Sequence, residues 1–202
     1  MPRVSSKDKY IVQVFELFKS KGLMLNMEQI AQEIGLTKKT LYNNFVSKNE
    51  LIQTVLNYFY SEMDKKIQIS GAASQNAIEA FMNVSVIISE EMGKLGTLLL
   101  RDISIYHSSP NIFTYSDRIN FYSKLVRTNL ERGIEENLYR KDVNKDYAAL
   151  FYTSAIELFY RWDGSFKYFN RMNEYHRELV ELHLYSVVNS NGVQVLETYL
   201  NK

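Results

Sequence analysis

Apolar residues recur at helical spacing along most of this chain. Ile11, Val14, Phe15 and Phe18 fall at i, i+3, i+4 and i+7, which predicts an amphipathic helix over 7–20, ended by Gly22. Met27, Ile30, Ala31 and Ile34 share one face of a second helix, with Asn26 placed to cap it and Gly35 to stop it. Leu36 is an apolar plug in the next turn, and Thr37 is placed to cap a third helix through about Asn44. Ser47-Lys48-Asn49-Glu50 has the form of a capping box. It predicts a fourth helix from Lys48 to about Ile69, with Leu51, Ile52, Val55 and Phe59 facing inward. Ser70-Gly71-Ala72-Ala73-Ser74 reads as a break. Beyond it, helices are expected at roughly 75–92, 95–107, 111–138, 144–163 and 173–190, with a short one over 193–200. They are separated at Gly93/Gly96, Ser108-Ser109-Pro110, Asn137 to Asn144, and Asp163-Gly164. No strand alternation persists and no repeat is found, so the expected fold is all-α. Residues 1–50 form a helix-turn-helix domain, a fourth helix connects at about 48–69, and 70–202 form a larger helical domain.

Composition supports a packed helical protein. Of 202 residues, 46% are hydrophobic and 23% charged, and proline occurs only at Pro2 and Pro110, leaving long stretches without helix breakers. The absence of cysteine excludes disulfides, thiolate metal sites and a cysteine nucleophile. No apolar run of signal-peptide type opens the sequence, and no window approaches a membrane span; a cytoplasmic protein without membrane attachment is expected. Net charge is +1, but residues 1–50 hold eight Lys and Arg against five Asp and Glu. That sign favours an anionic partner for the N-terminal part.

The third helix is unusual in its chemistry. Leu41 and Phe45 are its only core candidates; around them stand Thr37, Lys38, Lys39, Thr40, Tyr42, Asn43 and Asn44, with no carboxylate. A Gly turn followed by a short polar helix is the form of a helix-turn-helix, whose second helix enters the DNA major groove. Lysines then neutralise phosphates or reach guanine, asparagines pair with adenine or bond to phosphate, and hydroxyls contact phosphates or base edges. Acid is omitted because phosphates would repel it. The plainer alternative is a capped polar surface helix.

The run from Ile30-Ala31 through Gly35-Leu36-Thr37-Lys38 and Thr40-Leu41-Tyr42 to Phe45, Ser47-Lys48 and Leu51 resembles the DNA-binding domain of TetR-family transcriptional regulators. The resemblance covers about residues 8–58. Lys39 stands where that family usually has Gly, and Asn44 where it usually has Tyr or His. The resemblance implies groove or phosphate contacts for Lys38, Thr40, Tyr42 and Asn43, a phosphate contact for Thr37, and a phosphate clamp for Lys48. Lys39 and Asn44 complete the candidate set. It further implies a homodimer on a double-stranded DNA operator, a repressor released by a small molecule, no cofactor and no enzymatic activity. The C-terminal helices would hold the effector cavity and the dimer interface.

Within that region, Glu131–Val143 resembles the turn before the first dimerisation helix. The helix at 144–163 carries Ala148, Ala149, Phe151, Tyr152, Ala155, Ile156 and Phe159, whose small residues would let helices approach across a two-fold near Ala155; burial in one subunit is the alternative. Phe81, Met82, Met92, Leu99, Tyr106, Phe113 and Tyr122 are the candidate lining of a mostly apolar effector site, with Gly93, Gly96 and Pro110 as hinge points. Arg101 and His107 suit either an acidic ligand or the surface. His176 and His183, near Glu178 and Glu181, are read as structural rather than metal ligands, and Glu157 with Arg161 as an ion pair. Two rivals remain: a regulator answering to a protein partner without a small ligand, and an all-α enzyme built near Asp102, His107 and Tyr122. Against the enzyme, no phosphate loop, nucleophile elbow or H-E-x-x-H motif occurs.

Overall fold

The structure, a computed structural model, describes residues 6–107, 115–160 and 172–201. Among them run ten helices: α1 (Ser6–Lys21), α2 (Met27–Glu33), α3 (Lys38–Asn44), α4 (Lys48–Ala73), α5 (Ala77–Lys94), α6 (Gly96–His107), α7 (Tyr115–Glu135), α8 (Lys145–Tyr160), α9 (Met172–Val187) and α10 (Ser190–Leu200). The only strand-like pairing among these residues is an isolated antiparallel bridge, Tyr139 to Val188. No helix among them is long and apolar enough to cross a membrane.

The local signals act as the sequence suggests at α2 and α3. Asn26 accepts from Gln29 N–H and Gln29 returns the bond to Asn26 N–H, closing a capping box. Thr37 caps α3 by accepting from Thr40 N–H. At α4 the box is modified: Ser47 accepts from Glu50 N–H, while the Glu50 carboxylate takes the Val46 N–H one residue earlier. The expected break at Ser70–Ser74 does not stop α4, which continues to Ala73. Glycine inside a helix costs only about 1 kcal/mol, and Arg132 of α7 offsets this by donating to the carbonyls of Gly71 and Ser74. Likewise α5 continues through Gly93; the left-handed residue at the next junction is Gly96, at φ +73.

The described residues divide into two compact units. The first holds the residues up to Asp64 together with Lys94 to His107; the second holds Lys65–Gly93 and the described residues from Tyr115 onward. In the first, Val14, Phe18, Ile30, Leu41, Phe45, Leu51 and Val55 are fully buried, and the rings of Phe15 and Phe59 stack at 5.4 Å. Helix α6 packs on α1 within this unit. In the second, α5, α7, α8, α9 and α10 converge on a core that includes Ile78, Leu130, Tyr139, Leu184 and Leu196. Tyr139 closes it: its N–H donates to Gly133 carbonyl, its hydroxyl donates to Asn129, and its ring lies where a side chain at Gly133 would stand, 2.1 Å from an added Cβ.

Candidate nucleic-acid interface and effector cavity

Helix α3 is anchored from one side only. Leu41 and Phe45 are fully buried, and between them Thr37, Lys38, Lys39, Tyr42 and Asn43 are exposed while Thr40 is half-buried. The anchoring frees the opposite face for a partner. Its groups are not all idle in the free protein. Lys38 is hydrogen-bonded and paired to Glu28 of α2, which holds the Lys38 ammonium above its ordinary range and the Glu28 carboxyl below its own. The Lys38 ammonium also lies 5.9 Å from the centre of the Tyr42 ring. Thr37 and Thr40 share a hydroxyl bond of 2.8 Å. Asn44 is half-buried and turns its amide back to the Thr40 carbonyl at 2.8 Å, an orientation within the helix rather than away from it. Lys48 is half-buried at the start of α4; burial lowers its ammonium, against the Asp102 carboxylate, which raises it.

Asp102 is part of this first unit. Its carboxylate is buried, accepts the Leu23 N–H at 2.8 Å in the turn between α1 and α2, and takes Arg101 on its other oxygen at 2.8 Å. It therefore fastens α6 to the turn that leads into α2. Tyr122 belongs to the second unit, and the His107 side chain lies outside the described residues. Arg101 serves Asp102 and is not part of the lining of the cavity in the second unit.

The second unit contains a cavity of about 400 Å³, within the roughly 300–1,000 Å³ of small-molecule sites. Its walls are the end of α4 (Ile67, Gln68, Gly71, Ala72), one face of α5, the middle of α7, and Tyr152 with Ile156 from α8. Of the residues expected there, Phe81, Met92 and Tyr122 line it. Met82 does not: it points aside from the face shared by Phe81, Ser85, Ile88 and Met92 and packs against the core. Leu99 is fully buried on α6 in the other unit. Tyr106 and Phe113 as side chains, and Pro110, lie outside the described residues, as do Phe159 and Arg161. The sequence does not single out Ser85 or the α4 residues, and it places Tyr152 on the interface helix rather than in the lining. The signal available was the α5 face itself, whose apolar members Phe81, Val84, Ile88 and Met92 recur at i, i+3, i+7 and i+11.

Behind the cavity wall are the two histidines. His176 Nε2 lies 3.4 Å from the Tyr152 hydroxyl, and the His183 ring stacks on Phe81 and lies tilted against Tyr152, 4.7 Å from each. Both are buried, and burial lowers both to about 4, so they are neutral at physiological pH. No group of three metal-binding side chains occurs among the described residues. On the far side of α8, Tyr147, Leu150, Phe151 and Leu158 are exposed, as are Leu182 and Tyr185 on the adjoining α9. Ala155, expected at a two-fold, is half-buried and packs against the core of its own unit, where Ala149 and Tyr152 are buried. The exposed series runs i, i+4, i+11 from Tyr147, about a sixth of a turn away from Ala155.

Comparison with known proteins agrees with this geometry. Residues 14–55 match the family model described as bacterial regulatory proteins, tetR family. The uncharacterized HTH-type transcriptional regulator YvaF of Bacillus subtilis (strain 168) is 31% identical over 101 residues, 49% of this chain and 53% of that protein. The HTH-type transcriptional repressor KstR2 of Rhodococcus jostii (strain RHA1) is 24% identical over 151 residues, 72% of this chain and 74% of that one. The match thus spans about half the length of the first relative and about three quarters of the second. A solved structure of AibR in complex with isovaleryl coenzyme A and operator DNA shares the fold, with a TM-score of 0.61 at 16% identity over 88% of this chain and 97% of that one. Residues 14–55 thus carry the helix-turn-helix of the tetR family of bacterial regulatory proteins, and the helical fold of this chain is one that a solved regulator with operator DNA shares.

Proposed function

We propose that this protein is a repressor that binds operator DNA as a homodimer and releases it when a small, mostly apolar molecule fills the cavity of the second unit. The observation that carries the reading is α3: two buried anchors, and an exposed face of Thr37, Lys38, Lys39, Tyr42 and Asn43 free of acid. Such a face offers phosphate neutralisation from the lysines and paired donor and acceptor groups from Asn43. Lys38 would exchange Glu28 for phosphate, and Lys48 and Thr37 would contact the backbone. Relatives support the direction, since KstR2 is named a repressor and AibR is described with operator DNA and an acyl coenzyme A.

The exposed apolar stripes of α8 and α9 suit a second copy, because a symmetric pair of such helix pairs buries both at once. Helix α4 begins beside α3 and ends in the cavity wall, so a ligand that favours one placement of α4 biases the reading head. A ligand with differential affinity for the two placements lowers operator affinity by that difference, typically about 5- to 150-fold. A cavity of this volume favours a small molecule over a protein partner.

Titration of DNA from the protein's own upstream region, at several salt concentrations, tests this. A dimer neutralising several phosphates loses orders of magnitude in affinity between about 50 and 200 mM salt. A flat response would remove the DNA-binding reading.

A further inference from the structure

Resting on the effector-cavity reading above, we infer that the ligand enters with a neutral oxygen-bearing group innermost, a carbonyl or hydroxyl held by Tyr152 and Ser85, and that a carboxylate at that end is rejected. Both hydroxyls belong to lining residues that are almost fully buried, and they lie 3.3 Å apart. Tyr152 is backed by His176 Nε2 at 3.4 Å. These are long contacts for hydroxyl bonds, which favour about 2.7–2.8 Å. The pair has two protons and four lone pairs between them, so capacity is left over for a guest oxygen. With the His176 proton on Nε2, one hydroxyl proton remains to donate into the cavity; with it on Nδ1, Tyr152 donates to Nε2 and Ser85 supplies that proton by turning from Tyr152 to the guest. Around the pair the wall is apolar, with Ala80, Val84, Ile88, Val126 and Ile156.

What the inner end lacks is a positive charge. The lining cations are Lys124, which is exposed, and Arg132, already engaged by Glu136 at 2.6 Å and by the α4 carbonyls. Burial keeps His176 and His183 neutral and pushes the Tyr152 hydroxyl well above its ordinary range, so none of the three alters that charge at neutral pH. A carboxylate there would lose its water without gaining a counter-charge. A ketone, ester, amide or hydroxyl loses little and gains the hydroxyl pair. An anionic group is tolerated only at the outer end, near Lys124.

Equilibrium dialysis of the full chain at pH 7.5 with naphthalene, 2-acetonaphthone and 2-naphthoate tests the assignment, because the three share a ring and differ in one substituent. The ketone is expected to bind about tenfold more tightly than naphthalene, one net hydrogen bond, and at least tenfold more tightly than the carboxylate. Tyr152→Phe and, separately, Ser85→Ala should remove the ketone's advantage without weakening naphthalene. Equal binding of ketone and carboxylate, or an advantage that survives in either variant, would overturn the inference while leaving the cavity intact. Failure of all three probes to bind, or binding that persists when Val84→Trp fills the cavity, would overturn the cavity reading itself.

Discussion

Replacing Asp102 with alanine should detach the α1–α2 turn from α6, and the size of the loss can be worked from its contacts. The Leu23 N–H donates to this buried carboxylate at 2.8 Å, and a hydrogen bond to a charged group contributes about 1.5–3 kcal/mol. Arg101 is half-exposed, so its pair adds at most about 1 kcal/mol after screening. Asp102→Ala should therefore cost about 3 kcal/mol, and Asp102→Asn, which keeps an acceptor, about 1 kcal/mol. Gly22 provides an internal check. It sits at φ +71, and an added Cβ would stand 2.3 Å from the Asp102 carboxylate. Gly22→Ala thus carries a conformational cost of about 1–2 kcal/mol and also displaces the carboxylate from Leu23. In the Asp102→Ala background only the conformational part remains, so the two substitutions should couple by about 2 kcal/mol. Urea denaturation of the wild type, both single variants and the double variant, followed by helical circular dichroism, measures all four corners. Strictly additive losses, or a cost below about 0.5 kcal/mol for Asp102→Ala, would refute the docking role.

Glu28→Gln should free Lys38 and remove an acid beside the reading helix, raising DNA affinity several-fold in a binding titration; weaker binding would mean the pair orients Lys38 productively. Phe151 is 73% exposed on α8, and Phe151→Arg should convert a dimer to a monomer in sedimentation, whereas an unchanged dimer would place the interface elsewhere. Stability should also depend on pH through His176 and His183. Both are lowered to about 4, so the unfolded chain binds more protons between that value and the ordinary value of about 6.5. Stability is therefore whole above about 6.5 and declines as pH falls toward 4. From pH 7.5 to 5.5, above the range of ordinary carboxylates, the pair should cost about 2–3 kcal/mol. A flat profile, or one unchanged in His176→Gln/His183→Gln, would refute it.

The reading half was legible because its determinants are local. The caps at Asn26 and Thr37 act within three residues of their partners, and the stripe at Ile11, Val14 and Phe18 and the anchors Leu41 and Phe45 show their buried face through helical spacing alone. What stayed hidden depends on distant pairs. Nothing near Ser70 announces that Arg132 will sustain the end of α4, and nothing near Leu23 announces Asp102, 79 residues away. The cavity candidates split for a geometric reason: Phe81 and Met92 share a helical face, and Met82 lies about a quarter of a turn off it. Helix α8 was read as a single contact surface, yet Tyr152 and Ala155 face inward and Phe151 outward. Residue type makes Asn44 a candidate DNA contact, and its amide nitrogen donates to the Thr40 carbonyl in the free protein, which the sequence does not announce.

The central claim, that α3 reads DNA sequence, is tested most directly by selecting binding sites from a pool of random duplexes with the wild type and with Asn43→Ala. The wild type should enrich an inverted repeat whose half-sites lie about 34–36 Å apart, one helical turn or a multiple of it. Asn43→Ala should relax preference at particular bases in each half-site, with a discrimination loss of about 1–3 kcal/mol there. No enriched sequence for the wild type, or an identical one for the variant, would contradict the account.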